Sequence, residues 1–208
     1  MKYINLLLLT LILVTATGCY GDRISDYRIS DSVFIEDGEN PGLPVYSEKG
    51  YNSFGFYWGL LPVSTGQGHE QSTIEVNDGI CHIRLFGANG MNLYMLKLSL
   101  PGYAPETFSG LLDLNGKSFD LTDPDACTVT LQSSDIYSSD RHTYNLERIL
   151  EGSFMVRRAQ NLYVDRVLNG VVLSGTFSFK AIVDGSPATF LNGRFDMCFG
   201  DGNFFYLQ

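Results

Sequence analysis

Hydrophobic and polar residues alternate with a period of two over much of the chain, most clearly between residues 72 and 100. There Ile74, Val76, Cys81, Ile83, Leu85, Tyr94, Leu96 and Leu98 interleave with Glu75, His82, Arg84 and Lys97. Successive side chains of a strand point to opposite faces, so this spacing predicts strands with one buried and one wet face. Asp-Gly and Asn-Gly dipeptides punctuate the runs at residues 37, 78, 89, 115, 169, 184, 192 and 201. Such dipeptides favour type I′ hairpin turns, whose two central residues both need positive φ.

A two-residue turn at Asp78-Gly79 pairs Val76 with Cys81, Glu75 with His82 and Ile74 with Ile83. A second at Asn89-Gly90 pairs Leu85 with Tyr94, Ile83 with Leu96 and Cys81 with Leu98. The two turns agree on which side chains share a face, and a slip of one residue would invert them all. A three-stranded meander over 72–100 follows.

The C-terminal third reads the same way. Asn169-Gly170 is expected to join a strand near 162–168 to one over 171–183, and Asp184-Gly185 to lead into 188–197. Asn192-Gly193 is expected to be a bulge, and Asp201-Gly202 to turn into 204–207. Further strands are expected near 108–114, 117–121, 127–132 and 152–158. The best helical candidate, 143–150, is short. The fold class predicted is all-β: an antiparallel sandwich or partly open barrel of about ten strands.

The N-terminus breaks this pattern. Lys2 precedes an apolar run from Ile4 to Ala16, whose thirteen residues span about 20 Å as a helix, short of a roughly 30 Å hydrocarbon core. Residues 1–18 are therefore expected to be a signal peptide. Ala16-Thr17-Gly18-Cys19 resembles the lipobox of bacterial lipoproteins, which makes Cys19 the expected lipidation site. Residues 19–48, with seven acids, Pro41 and Pro44, read as an acidic, semi-flexible tether in which Ser32–Ile35 is the only strand-like piece. Residues 49–208 form a single β domain.

Composition narrows the function classes. The 208 residues include 14 basic and 23 acidic ones, a net charge of −9, and loss of residues 1–18 with Lys2 takes it to −10. A surface of that sign excludes nucleic acid as the expected partner. With Cys19 acylated, Cys81, Cys127 and Cys198 permit one disulfide at most, and Cys81 reads as a small buried apolar residue. There is no C-x-x-C pair, and with only three histidines no zinc cluster or other cofactor is expected.

Two groups of segments carry a resemblance. Leu43-Pro44, Gly50-Tyr51-Asn52-Ser53-Phe54-Gly55 and Gly59 form one; Ser174-Gly175-Thr176-Phe177-Ser178-Phe179 and Asn192-Gly193-Arg194-Phe195-Asp196 form the other. They resemble the opening and ending of uncharacterised small lipoproteins of Gram-negative gut-type bacteria, a domain-of-unknown-function family. Ser53 stands where Thr is usual, and Phe56 where Cys is frequent. The resemblance implies an exported, lipid-anchored β protein and assigns no reaction; the expected location is the cell envelope, at the outer membrane.

Candidate chemistry is sparse. No G-x-S-x-G nucleophile motif occurs, and His69, His82 and His142 read as polar surface residues. Asp120, Asp123 and Asp125 around Pro124 lack the spacing of an EF-hand loop, and a solvated turn explains them. Tyr51, Phe54, Phe56, Tyr57 and Trp58 crowd eight positions, with Phe54, Phe56 and Trp58 on one strand face and Tyr57 on the other. Such rings form cores and also stack on sugars. Trp58, Tyr57, Tyr103 and Tyr137 are the candidate contact residues. The expected function is a non-enzymatic, lipid-anchored binding module for a glycan or envelope protein. A lipocalin-like carrier of apolar ligands, a carboxylate-dependent envelope hydrolase and an assembly component with an open edge strand stand as alternatives.

Overall fold

A computed structural model describes residues 31–65, 71–135 and 141–207. Its strands are β1 (Ser53–Trp58), β2 (Leu61–Ser64), β3 (Thr73–Asn77), β4 (Ile80–Asn89), β5 (Asn92–Pro101), β6 (Ser118–Asp120), β7 (Thr128–Asp135), β8 (Arg141–Tyr144), β9 (Leu146–Val164), β10 (Val167–Val183), β11 (Ser186–Phe199) and β12 (Phe204–Tyr206). Ten of them form one strongly curled antiparallel sheet, a half-barrel, in the order β6-β9-β10-β11-β1-β2-β4-β5-β7-β8. β3 lies on β4, and β12 adds to β3 in parallel. No helix among the described residues is long and apolar enough to cross a membrane.

Curvature comes from the long strands. The β9–β10 ladder shifts register four times, and each bulge bends a strand and increases its twist. Gly175 sits at one of these shifts, where a Cβ would lie 2.1 Å from the Met155 carbonyl oxygen and 2.5 Å from the Phe195 ring. Only glycine lets the backbone and that ring approach so closely. The concave side is filled by packed rings: Phe179 stacks on Phe190 at 4.2 Å between centroids, Phe54 on Phe177 at 6.0 Å and Phe154 on Phe195 at 5.4 Å.

The meander keeps the predicted faces. Ile74, Val76, Cys81, Ile83, Leu85, Leu96 and Leu98 are all buried, and Asp78-Gly79 forms the predicted turn with φ of 49° and 76°. The next turn is displaced. Asn89 pairs with Asn92, so Gly90 and Met91 are the central residues, and Leu85 faces Leu96 in place of Tyr94. Of those two, only Gly90 has positive φ, at 58°. That is the type II′ pattern, with glycine in the first central position. The shift moves the pairing by two residues, which leaves every side chain on its predicted face.

Two other expectations are corrected. Asn169-Gly170 is not a turn: Asp165-Arg166, with φ of 50° and 66°, closes the hairpin, and Asn169-Gly170 forms a bulge in β10. Gly170 is required there because a Cβ would lie 2.5 Å from the Phe199 carbonyl oxygen. Residues 108–114 form a 3₁₀ helix, not a strand. Leu111 and Leu114, three apart, both point inward, as a three-residue turn allows. Residues 143–150 belong to β8 and β9, with no helix. Asp201-Gly202 turns into a strand as expected, and that strand is β12. Asn203 gathers that reversal, donating its amide to the carbonyls of Ser72 and Cys198, and sends β12 to β3. The bulge at Asn192-Gly193 is present, with Asn192 at φ 53°.

The described part of the acidic stretch, residues 31–48, runs as a strap along β1 and β11. Leu43 is fully buried, Glu36 bridges Pro44, and Arg194 reaches both Asp37 and the Pro44 carbonyl. Acids that read as self-repelling in sequence are partnered: Glu36 also accepts the Gly42 amide. Hydrogen bonds from Asn40 and then Arg194 hold the Asp37 carboxyl below its ordinary range.

Candidate functional site

The segments that carry the family resemblance meet in space. Ser53 pairs with Asp196, Phe54 with Phe195 and Gly55 with Arg194 across β1 and β11, and Ser174 pairs with Asp196 across β10 and β11. Asp196, only 1% exposed, is at the centre. It accepts the backbone amides of Lys49 (3.2 Å), Gly50 (2.8 Å) and Tyr51 (3.1 Å) and the Ser174 hydroxyl (2.7 Å). A buried carboxylate is tolerated only when its lone pairs are used in this way. The role is structural, closing the loop that precedes β1. No other acid among the described residues is buried, so Asp196 has no second carboxylate facing it across a cleft.

The predicted contact residues do not share a platform. Trp58 is half-buried inside the half-barrel, edge-on to Tyr144 at 4.8 Å and Tyr94 at 5.9 Å and stacked on Phe190 at 5.5 Å. Tyr57 points the other way and donates its hydroxyl to the Pro41 carbonyl of the strap. Tyr103 donates to the Gly110 carbonyl beneath Lys117, and burial pushes its phenol up from its ordinary value. Cys19, Tyr137 and His69 lie outside the described residues. His142 stands edge-on to Tyr144, 4.0 Å from Asp184. The three other cysteines are free and buried; burial pushes the thiols of Cys81 and Cys127 up to about 12 and that of Cys198 up to about 11.

The acids near Pro124 make local turns. Asp120 accepts the Thr122 amide and hydroxyl, and Asp123 accepts the Asp125 amide. Among the described residues no group of three or more His, Cys, Asp or Glu gathers as metal ligands would.

The feature that stands out chemically is a groove on the outward face of β3, β4, β5, β7 and β8. It measures about 560 Å³ and is lined by Gln71, Thr73, Arg84, Phe86, Met95, Lys97, Gln132 and Arg141. The ladder builds it: Arg84 lies opposite Lys97 and Thr73, Phe86 opposite Met95, Met95 opposite Gln132, and Arg141 opposite Ser134. Three lining residues are cations and none is an acid. Arg84 is partly neutralised by an ion pair with Glu75 from β3. Phe86 and Met95 supply an apolar floor between polar walls.

Comparison with family models, curated protein sequences and solved structures finds no match. The groove is thus read from its own chemistry.

Of its lining, Arg84 and Lys97 were already assigned to the wet face. Gln71, Thr73, Phe86, Met95, Gln132 and Arg141 were missed. The available signal was that Phe86 and Met95, two large apolar side chains, fall by alternation on the same outward face as the cations, although only the displaced turn sets them opposite each other. An exposed face has no packing need for them.

Proposed function

We propose that this protein is a non-catalytic binding module of the cell envelope, lipid-anchored through Cys19, whose groove over β4, β5 and β7 takes an anionic saccharide. The cation-lined groove on a chain of net charge −9 carries this reading. Guanidinium groups bind carboxylate or sulfate oxygens through paired N–H donors, and Arg84 and Arg141 flank the floor from two sides. Lys97 adds a point charge at the centre. Gln71, Thr73 and Gln132 offer the neutral donors and acceptors that sugar hydroxyls need. Phe86 and Met95 suit the apolar C–H face of a pyranose ring. The envelope location rests on the signal-like N-terminus, the Ala16–Cys19 sequence and the family resemblance.

The interior favours this reading over an apolar-ligand carrier, because stacked phenylalanines occupy the concave side where such a ligand would sit. Asp196 is committed to four donors, which leaves it unsuited to act as a hydrolytic acid or base.

Screening the protein against arrayed carboxylated, sulfated and neutral oligosaccharides tests the proposal. Binding confined to anionic glycans, weakened by salt and reduced at least about fivefold by Lys97→Gln or Arg141→Gln, is expected, since removing one charge-assisted contact costs about 1.5–3 kcal/mol. Equal binding of neutral glycans, or indifference to both substitutions, overturns it.

A further inference from the structure

Beyond the groove, the tip of the β9–β10 hairpin has a composition that solvent does not explain. Val171 is the last β10 residue paired to β11, opposite Phe199. Asn169 and Gly170 still pack on Phe199 and Gly200, and from Leu168 the hairpin continues to the Asp165-Arg166 turn. Val164 lies opposite Val167, Tyr163 opposite Leu168 and Leu162 opposite Gly170. Leu162, Val164 and Val167 therefore share one face, and Tyr163 and Leu168 share the other. A two-stranded ribbon in water normally keeps at least one face polar. Here both faces are apolar, with Tyr163 59% exposed and Val167 64% exposed.

The strap indicates what lies beside this tip. Going back from Gly42, which sits against Pro62, the chain passes Asp37 at Arg194 and Val33 at Tyr51 and reaches Asp31, whose carbonyl accepts the Asn52 side chain. Asn52 in turn accepts the Cys198 amide, and Cys198 pairs with Val172. The strap thus climbs β1 and β11 toward the end where the hairpin overhangs. From Asn169, which packs on Gly200, to Arg166 the hairpin projects about 10 Å further at about 3.3 Å per residue. Eleven residues lie between Cys19 and Asp31, twelve steps with a reach of up to about 40 Å. A bilayer holding Cys19 is within reach of the tip.

We infer that the hairpin tip, Leu162 to Leu168, inserts into the interface of the bilayer that carries the Cys19 anchor. The inference rests on the anchored reading given under Proposed function. Val164, Val167 and Leu168 reach the acyl boundary, Tyr163 sits at the level where its ring is buried and its hydroxyl wet, and the ribbon is tilted so that the opposite charges of Asp165 and Arg166 at the turn stay among the headgroups. Insertion at the tip together with an anchor on the same end would stand the half-barrel upright on the membrane, with the opposite end outward.

The test adds one tryptophan to the full chain, at the tip (Tyr163→Trp) or at the opposite end (Leu60→Trp, a site 95% exposed and equally apolar). Trp58 gives the same background in both. Vesicles of phosphatidylethanolamine and phosphatidylglycerol with brominated acyl chains quench only indoles that reach the hydrocarbon. At saturating vesicles the Tyr163→Trp variant is expected to lose more than half of its added indole emission, with a blue shift, and the Leu60→Trp variant to lose none. Adding Val164→Thr and Val167→Asp to the tip variant abolishes the quenching while the urea midpoint stays put, because both side chains are exposed and no like charges are set opposite one another.

Mass and flotation of the same full chain report the anchor separately. If Cys19 carries no acyl groups the anchor reading falls, and quenching at vesicle saturation still decides the tip. Absent quenching at position 163, equal quenching at position 60, or a blue shift that grows with protein concentration without vesicles (pairing of two copies) each overturns the inference.

Discussion

The meander of β3, β4 and β5 and the seam of β1, β10 and β11 are built from the same kinds of residue yet use glycine in opposite ways. At Gly79 of the meander, φ is 76° and a Cβ would meet nothing within 4 Å. At Gly170 of the seam φ is ordinary for an L residue, but a Cβ would press on the Phe199 carbonyl. The first glycine is there for its dihedral angle, the second for its missing side chain. Both stand after Asp or Asn and look alike in sequence. The meander is thus held in register by its turns, whereas the seam adds to its one such turn, Asp184-Gly185, close backbone approach and Asp196.

The largest effect is expected at Asp196. Asp196→Ala leaves three backbone amides and the Ser174 hydroxyl without their acceptor, and stranded buried polar groups cost about 1–3 kcal/mol each before relaxation and water entry. We expect a loss of about 3–5 kcal/mol in urea unfolding, against less than about 1 kcal/mol for Glu75→Ala on the wet face of the meander. Equal losses at the two positions would dissolve the distinction between seam and meander.

Next come the two glycines. Gly170→Ala is expected to cost about 1–3 kcal/mol through overpacking, and Gly170→Asn at least as much. Gly79→Ala costs about 1–2 kcal/mol for its left-handed backbone, but Gly79→Asn recovers most of that, because Asn tolerates this region. Chemical denaturation of the four variants reads the pattern; recovery by Asn at 170 would show that dihedral strain governs there too. A smaller effect separates Gly90 from Met91. Gly90→Ala should cost about 1 kcal/mol and Met91→Lys almost nothing, since only residue 90 needs positive φ and Met91 is exposed.

These contrasts explain how far the sequence could be read. Facing pattern is a property of period two and survives any even slip, which is why the meander faces were legible although the Gly90-Met91 turn was not. An Asn-Gly pair cannot report whether glycine serves a turn or a neighbour, because the neighbour of Gly170 is Phe199, twenty-nine residues on. The strap was hidden for a related reason: Asp37 and Glu36 gain their partners only after folding, from Arg194 and the Gly42 amide. The groove was half visible. Arg84 and Lys97 follow from alternation, but Gln132 and Arg141 join them only through the pairing of β5 with β7 and β7 with β8, which no local signal sets. Asp165-Arg166 was unreadable as a turn, since neither residue carries the usual glycine and both adopt positive φ.

The smallest predicted effect tests whether the wet face of the meander is as loosely held as its exposure suggests. His82 lies beside the groove, its Nδ1 2.8 Å from the Ser99 hydroxyl and its Nε2 2.8 Å from the Asn77 side-chain oxygen. Desolvation first, and the nearby Lys97 charge second, lower its pKa from the ordinary 6.5, against an opposing pull from Glu75. The folded protein therefore binds a proton at His82 less readily than the unfolded chain does. Stability from this residue is complete above pH 6.5 and is lost as pH falls through the folded value, because the unfolded state takes up the proton first. The ring is partly solvated, so the loss over that window is small. Urea midpoints of the wild type and His82→Gln measured from about pH 7.5 to 5 separate the contribution. The wild-type curve should fall more steeply below 6.5, and the two curves should run parallel above it. A ligand carboxylate bound between Lys97 and Arg84 would offset the Lys97 charge and raise the His82 pKa. Saturation of the groove should then flatten the wild-type curve toward that of His82→Gln, which links the pH response of this face to occupancy of the groove. An unchanged wild-type slope under saturating anionic glycan would place the ligand away from His82 and Lys97.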